Sequence, residues 1–157
     1  MRTLLISLVT FFGLASAAAA CPDWRFNPTY GAYSLSQGQL NQGQSLTLVA
    51  GGSIDWANCP HIRVGSDDGP GWFEQAPDVR FFVNGVEGRN LTIRITSACD
   101  SALLINTGTA SWYYDDDDAG NLDAQIVLTR PVSGQIDVWA GTYNGEYCDA
   151  RVSIFRG

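Results

Sequence analysis

The sequence predicts an all-β fold, a single antiparallel β-sandwich of jelly-roll-like form held by two disulfides. Three observations predict it. Apolar and polar residues alternate with a period of two through much of the second half. Turn-forming clusters separate those runs at fairly even spacing, and no eleven-residue window beyond residue 20 repeats every 3.6 residues. Four cysteines, an even number, stand in a chain that opens like an export precursor.

Residues 1–20 carry the export signature. Arg2 precedes an apolar run from Leu4 to Leu14, and small residues end at Ala18-Ala19-Ala20. A positive start, a short apolar stretch and an A-x-A site describe a cleaved signal peptide, too short to span a bilayer as a mature helix. Cleavage after Ala20 leaves residues 21–157 as one domain. Cys21 then becomes the first residue, where a lipoprotein would carry its lipid. The leucine that usually opens a lipobox is missing, and lipidation would leave an odd number of thiols. A soluble periplasmic or secreted protein is therefore the preferred expectation.

The strands follow in order. Candidates are 30–36, 45–50, 53–57, 79–83, 91–96, 102–106, 112–114, 125–129, 136–140 and 152–154. Leu91, Ile93 and Ile95 alternate with Thr92, Arg94 and Thr96; Ile136 and Val138 alternate with Asp137 and Trp139. Between the candidates stand Gly51-Gly52, Asp68-Gly69-Pro70-Gly71, Asn84-Gly85, Ala119-Gly120-Asn121 and Asn144-Gly145. The two Asn-Gly pairs predict tight hairpins, because that dipeptide readily takes the positive φ of a type I′ turn. Residues 65–71 read as a long loop within the one domain.

Cys21, Cys59, Cys99 and Cys148 allow three pairings. The expected one is Cys21–Cys59 with Cys99–Cys148, each closing one half of the chain. Zinc is disfavoured because no two cysteines have C-x-x-C spacing. After cleavage eight arginines, and no lysine, face sixteen acids, a net charge of −8. That balance argues against nucleic acid or an anionic membrane as partner. No stretch beyond the leader is apolar enough for a transmembrane segment.

The run Asp115-Asp116-Asp117-Asp118-Ala119-Gly120-Asn121-Leu122-Asp123 carries the most chemistry. Adjacent carboxylates repel one another unless solvated or neutralised by a cation. Hard oxygen ligands on a glycine-containing loop suit calcium, although the spacing is not that of an EF-hand.

The stretch 90–156 resembles the bacterial pre-peptidase C-terminal domain. The matching parts are Leu91-Thr92-Ile93-Arg94-Ile95, Cys99-Asp100-Ser101-Ala102-Leu103-Leu104-Ile105, Tyr114-Asp115-Asp116-Asp117, Leu122-Asp123-Ala124-Gln125-Ile126 and Ser133-Gly134-Gln135-Ile136-Asp137-Val138-Trp139. The resemblance implies a jelly-roll-like β-sandwich that accompanies secreted peptidases and in some members binds calcium or an extracellular matrix substrate. It carries Asp100, Asp116, Asp117 and Asp123 over as candidate ligands, with Asp118 and Asn121 as further oxygen donors. The chain departs from that family in having no peptidase domain alongside and in carrying four cysteines. It also resembles small exported bacterial proteins that begin Cys-Pro-Asp-Trp, as residues 21–24 do.

The expected function is thus an exported, non-catalytic, calcium-stabilised binding module. Its partner would be an envelope or extracellular protein, or a polysaccharide. Two alternatives stand beside it. A peptidase-like hydrolase would have to use His61, the one histidine, and no Gly-x-Ser-x-Gly motif is present. A carbohydrate-binding module would need exposed indoles from among Trp24, Trp56, Trp72, Trp112 and Trp139.

Overall fold

The computed structural model describes residues 20–157. The leader expected over residues 1–20 lies outside the described residues but for Ala20. The elements in chain order are β1 (Ala32–Leu35), α1 (Gln37–Gln42), β2 (Gln44–Ala50), β3 (Ile54–Asp55), β4 (Trp72–Phe73), β5 (Val79–Val83), β6 (Leu91–Ser97), β7 (Ser101–Thr107), β8 (Trp112–Asp115), β9 (Gln125–Leu128), β10 (Gly134–Thr142) and β11 (Cys148–Arg156). They form two sheets packed face to face, as the alternation predicts. The larger sheet runs β1-β5-β10-β7-β8, with β4 and β3 continuing beyond β5 along β10. The smaller runs β2-β11-β6-β9. Apart from the parallel pair β1 and β5, all strand pairs are antiparallel.

The chain changes sheet at nearly every connection after β5. Crossings run from β5 to β6, β6 to β7, β8 to β9, β9 to β10 and β10 to β11. Here the expectation of two tight Asn-Gly hairpins is corrected. Gly85 and Gly145 do adopt positive φ, +71° and +80°, but Asn84 and Asn144 do not. A type I′ turn needs both residues there. With one, the chain turns out of the sheet and crosses the sandwich. The β7–β8 pair is instead joined by a tight loop through Ala110, at φ 57°, closed by Thr107 N–H to Ser111 O at 2.9 Å.

Sequence periodicity also missed β4. Two residues carry no alternation, and Trp72 pairs with Thr142 only because β10 overruns β5. Among the described residues the one α-helix, α1, is six residues long. Ser36 and Gln39 form a capping box at its start, and Leu40 is its buried anchor.

Between the sheets lies an aliphatic core. Leu91, Ile93, Ile95, Leu103, Ile105, Val138, Val152 and Ile154 are wholly buried there. The other face of the larger sheet is covered too. A second cluster packs Phe73, Leu104, Tyr114 and Trp139 beneath Trp56 and the Cys21–Cys59 disulfide. Consequently β7 is buried on both faces from Ser101 to Asn106. Both expected disulfides are present, Cys21–Cys59 and Cys99–Cys148, with Cα separations of 5.8 and 6.2 Å. Among the described residues no helix is long and apolar enough to cross a membrane.

Candidate functional site

Three crossings converge at one end of the sandwich, and they gather the acids. The β6–β7 turn brings Asp100, the β8–β9 crossing brings Asp115 to Asp123, and the β10–β11 turn brings Glu146. Backbone bonds tie them together. Tyr143 N–H donates to Asp100 O at 2.9 Å, and Ser101 N–H donates to Leu122 O at 3.0 Å. The Cys99–Cys148 disulfide joins two of the three crossings.

A fourth contributor comes from the other half of the chain. The 57–71 loop lies along β8, where Ser66 Oγ accepts from Tyr114 N–H at 2.8 Å and donates to Tyr114 O at 2.7 Å. This brings Asp67 to the acidic end. One carboxylate oxygen from each of Asp67, Asp115 and Asp118 lies within 4.8 Å of the others. Cys99, Glu146 and Cys148 approach equally closely, but there the sulfurs are bonded to each other.

The six residues singled out from sequence divide into separate environments. Asp118 joins Asp67 and Asp115. Asp100, Asp116 and Asp117 sit within repulsive range of one another. Asp116 is raised above the ordinary carboxylate range by burial, then by the charges of Asp117, Asp100 and Asp67. Asp100 is raised by burial, then by Asp117 and Glu146. Asp123 is engaged inside the protein: one oxygen accepts from Ser97 N–H at 3.0 Å and the other faces Arg94 at 3.5 Å. Asn121 is exposed, with φ 57°, and shapes the turn.

Asp115 is the buried member of its trio. One oxygen accepts from Gln125 N–H at 2.7 Å and from Asp118 N–H at 3.2 Å, pinning the crossing at both ends. Burial pushes its carboxyl up to about 6; those amides pull down, and neighbouring Asp118 pushes up further. Like charges this close disfavour the ionised form of Asp115. Sequence reasoning missed Asp67, which lies about fifty residues from its partners. Its only local signal was the polar loop around it.

The alternatives find these surroundings. His61 is exposed in a cleft with Asp23, Arg25, Gln75 and Trp112, and no serine lines it. Both oxygens of Asp23 accept from the Arg25 guanidinium, between 2.7 and 3.1 Å. Of the tryptophans, Trp139 is fully buried, Trp56 nearly so, and Trp112 stacks obliquely on Trp139 at 5.1 Å. Trp24, at 43%, is the exposed indole. A sugar platform of two coplanar exposed rings needs a second.

Fold and site together define a disulfide-bonded two-sheet β-protein with one strongly acidic end. No protein-family model matches the chain, and no curated protein matches it. Among solved structures it overlaps PliG of Aeromonas hydrophila, described as a periplasmic inhibitor of g-type lysozyme. The TM-score is 0.42 and the identity 11%, over 80% of this chain and 97% of that one. A likeness of this degree carries no argument about function.

Proposed function

We propose that the protein is an exported, non-catalytic binding module whose acidic end is fixed by calcium. The observation that carries the proposal is the convergence of Asp67, Asp115 and Asp118 from two distant segments onto one point. Folding there brings like charges together, which costs stability unless an ion occupies the point. Calcium accepts six to eight oxygens in flexible geometry, so three carboxylates plus water suit it. The two disulfides support export to an oxidising compartment. The partner class remains an envelope or extracellular protein, or a polysaccharide.

Melting of the protein beginning at Cys21 tests the ion. An ion that binds only the native state stabilises by about 2.7 kcal/mol at a hundredfold excess over Kd. Extracellular modules have Kd of roughly 10⁻⁴ to 10⁻³ M, so calcium in the millimolar range should raise Tm. Asp67→Asn and Asp118→Asn should each weaken that response. A calcium shift no larger than sodium chloride gives at equal ionic strength overturns the calcium site.

A further inference from the structure

A second cleft lies across the sandwich from β8 and β9, at the edge formed by β1 and β2. It begins with a gap in the larger sheet. Strand β10 pairs with β5 up to Val138 and with β4 only at Thr142, so Ala140 faces no strand on that side. Its carbonyl accepts from Gly51 N–H at 2.9 Å. Its N–H donates to Asp78 Oδ2 at 2.7 Å. A side-chain carboxylate thus stands where a strand would offer a carbonyl.

Only the hydrogen-bond acceptor is needed for that task. An asparagine would accept the same N–H with no charge to bury, yet the chain places an aspartate there at 3% exposure. Burial pushes its carboxyl up to about 7, with the neighbouring Glu74 charge adding to the rise and the Ala140 N–H opposing it. The structure keeps an ionisable group where a neutral one would fold more cheaply. A strongly perturbed carboxyl in a cleft is a candidate for a functional group.

The surroundings say what the charge would meet. Asp78 lies in a cleft of about 450 Å³ lined also by Phe26, Tyr30, Val49, Glu74 and Tyr147, and no basic residue lines it. Phe26 and Tyr147 remain 45% and 59% exposed although they are aromatic. Hydrogen bonds set the walls. Tyr147 hydroxyl donates to Glu74 Oε1 at 2.9 Å, and Tyr30 hydroxyl accepts from Val49 N–H at 3.0 Å. Two carboxylates framed by aromatic faces attract a cation with an apolar stem.

We infer that this cleft receives one lysine side chain of a partner protein, its stem against Phe26, Tyr30 and Tyr147 and its ammonium on Asp78 and Glu74. This names the partner chemistry for the binding-module proposal and rests on it. Lysine fits better than arginine because one Asp78 oxygen is already committed to Ala140. A guanidinium seeks two coplanar acceptors, whereas an ammonium is a point charge that one oxygen satisfies. Another copy of this chain cannot supply the group, since the sequence contains no lysine. The net charge of −8 after cleavage favours encounter with a basic protein.

The test is an NMR titration of isotope-labelled protein beginning at Cys21, with a blocked Gly-Lys-Gly tripeptide as probe and calcium present. Shifts are expected at the backbone amides of Gly51, Asp78, Ala140 and Tyr147. Asp78→Asn should weaken binding at least tenfold while the protein still folds, because the asparagine oxygen can accept from Ala140. Should Asp78→Asn fail to fold, Glu74→Gln and Tyr147→Ala, which alter a half-buried and an exposed side chain, are each expected to weaken binding several-fold. Equal binding by the acetyl-lysine or arginine tripeptide, or undiminished binding in all these variants, overturns the assignment. Tighter binding of methylamine than of the tripeptide overturns the choice of a protein partner. Shifts confined to Asp115–Asp118 overturn the cleft while leaving the acidic end as a binding surface. Loss of the calcium response with the cleft shifts intact would remove calcium and leave the lysine cleft standing.

Discussion

The two faces of the larger sheet are buried by different means. Its inner face meets the smaller sheet, and both contribute aliphatic side chains from regular strands, such as Leu103, Ile105 and Val138 against Ile93, Ile95 and Val152. Its outer face meets loops. Trp139, Leu104, Tyr114 and Phe73 are covered by Trp56 and the Cys21–Cys59 disulfide, with aromatic rings at steep angles to one another. A ladder of strands supplies its own backbone hydrogen bonds, so the inner layer needs only shape. The outer layer is irregular chain and must find partners for its polar backbone. Arg80 supplies some of them. Its guanidinium bonds buried Asp137 at 2.6 Å, donates to Phe26 O at 3.2 Å, and donates to Trp24 O. The outer layer therefore adds one covalent bond and one buried ion pair to its buried area, whereas the inner layer relies on area. Steric demands are tight in both. A β-carbon on Gly141 would come within 2.6 Å of the Phe73 ring, so the outer layer sits directly on the strand backbone.

Matched truncations in β7 break this comparison most sharply. Leu103 faces inward and Leu104 outward, and both are fully buried. Leu→Ala in a core costs about 3 to 5 kcal/mol, depending on how far the site collapses. Leu103→Ala should lie at the upper end, about 5 kcal/mol, because two sheets cannot close on the void. Leu104→Ala should lie near about 3 kcal/mol, because loops can settle. Urea denaturation of both variants checks the order, and equal losses would show the outer layer to be as rigid as the inner.

Next in size is removal of Cys21–Cys59 by paired serine substitution. Releasing a loop of 38 residues costs about 4 kcal/mol in the chain-entropy model. Hydrogen exchange should show protection lost through residues 54–73 while β6 and β11 keep theirs. Uniform loss would mean the two layers unfold as one.

Arg80→Met should cost about 3 kcal/mol, since it leaves Asp137 buried without its partner. Adding Asp137→Asn to it should restore part of that loss, which thermal melting of the double variant can measure. No restoration would place the loss in the contacts of Arg80 with the N-terminal segment.

A further effect is one of pH. Asp78 and Asp115 have carboxyls raised to about 7 and about 6 in the fold, against roughly 3.9 unfolded. An acid raised on folding holds a proton that the unfolded chain has released. Its stabilising contribution is full below pH 4 and is lost as pH rises through the folded value. Melting temperature without calcium should therefore fall from about pH 4 to about pH 7. Asp115→Asn should flatten only the lower part of that decline, and Asp78→Asn should shallow it throughout and abolish its upper end. An unchanged slope in both variants would assign it to other groups.

How far these features were legible follows from how they are built. Strands such as 91–97 and 134–142 announce themselves, since alternation is imposed residue by residue by one buried face. The disulfide pairing was foreseen by assigning one bridge to each half of the chain. The Asn-Gly pairs misled because the dipeptide signals a reversal of direction and not the sheet in which the chain resumes. Among the acids, a run of four neighbours was visible at once, but Asp67 was not, and the engagement of Asp123 with Arg94 and Ser97 could not be read from its place in the run.

By itself, the sequence determined the period of the strands, the acidity, the oxidised cysteines and the absence of lysine, because each is a property of composition or of near neighbours. Only the tertiary structure decided which carboxylates meet, which are spent on internal amides, and which stand at the floor of an open aromatic cleft. Those outcomes depend on contacts between segments dozens of residues apart, and local pattern carries no record of the partner that folding will bring.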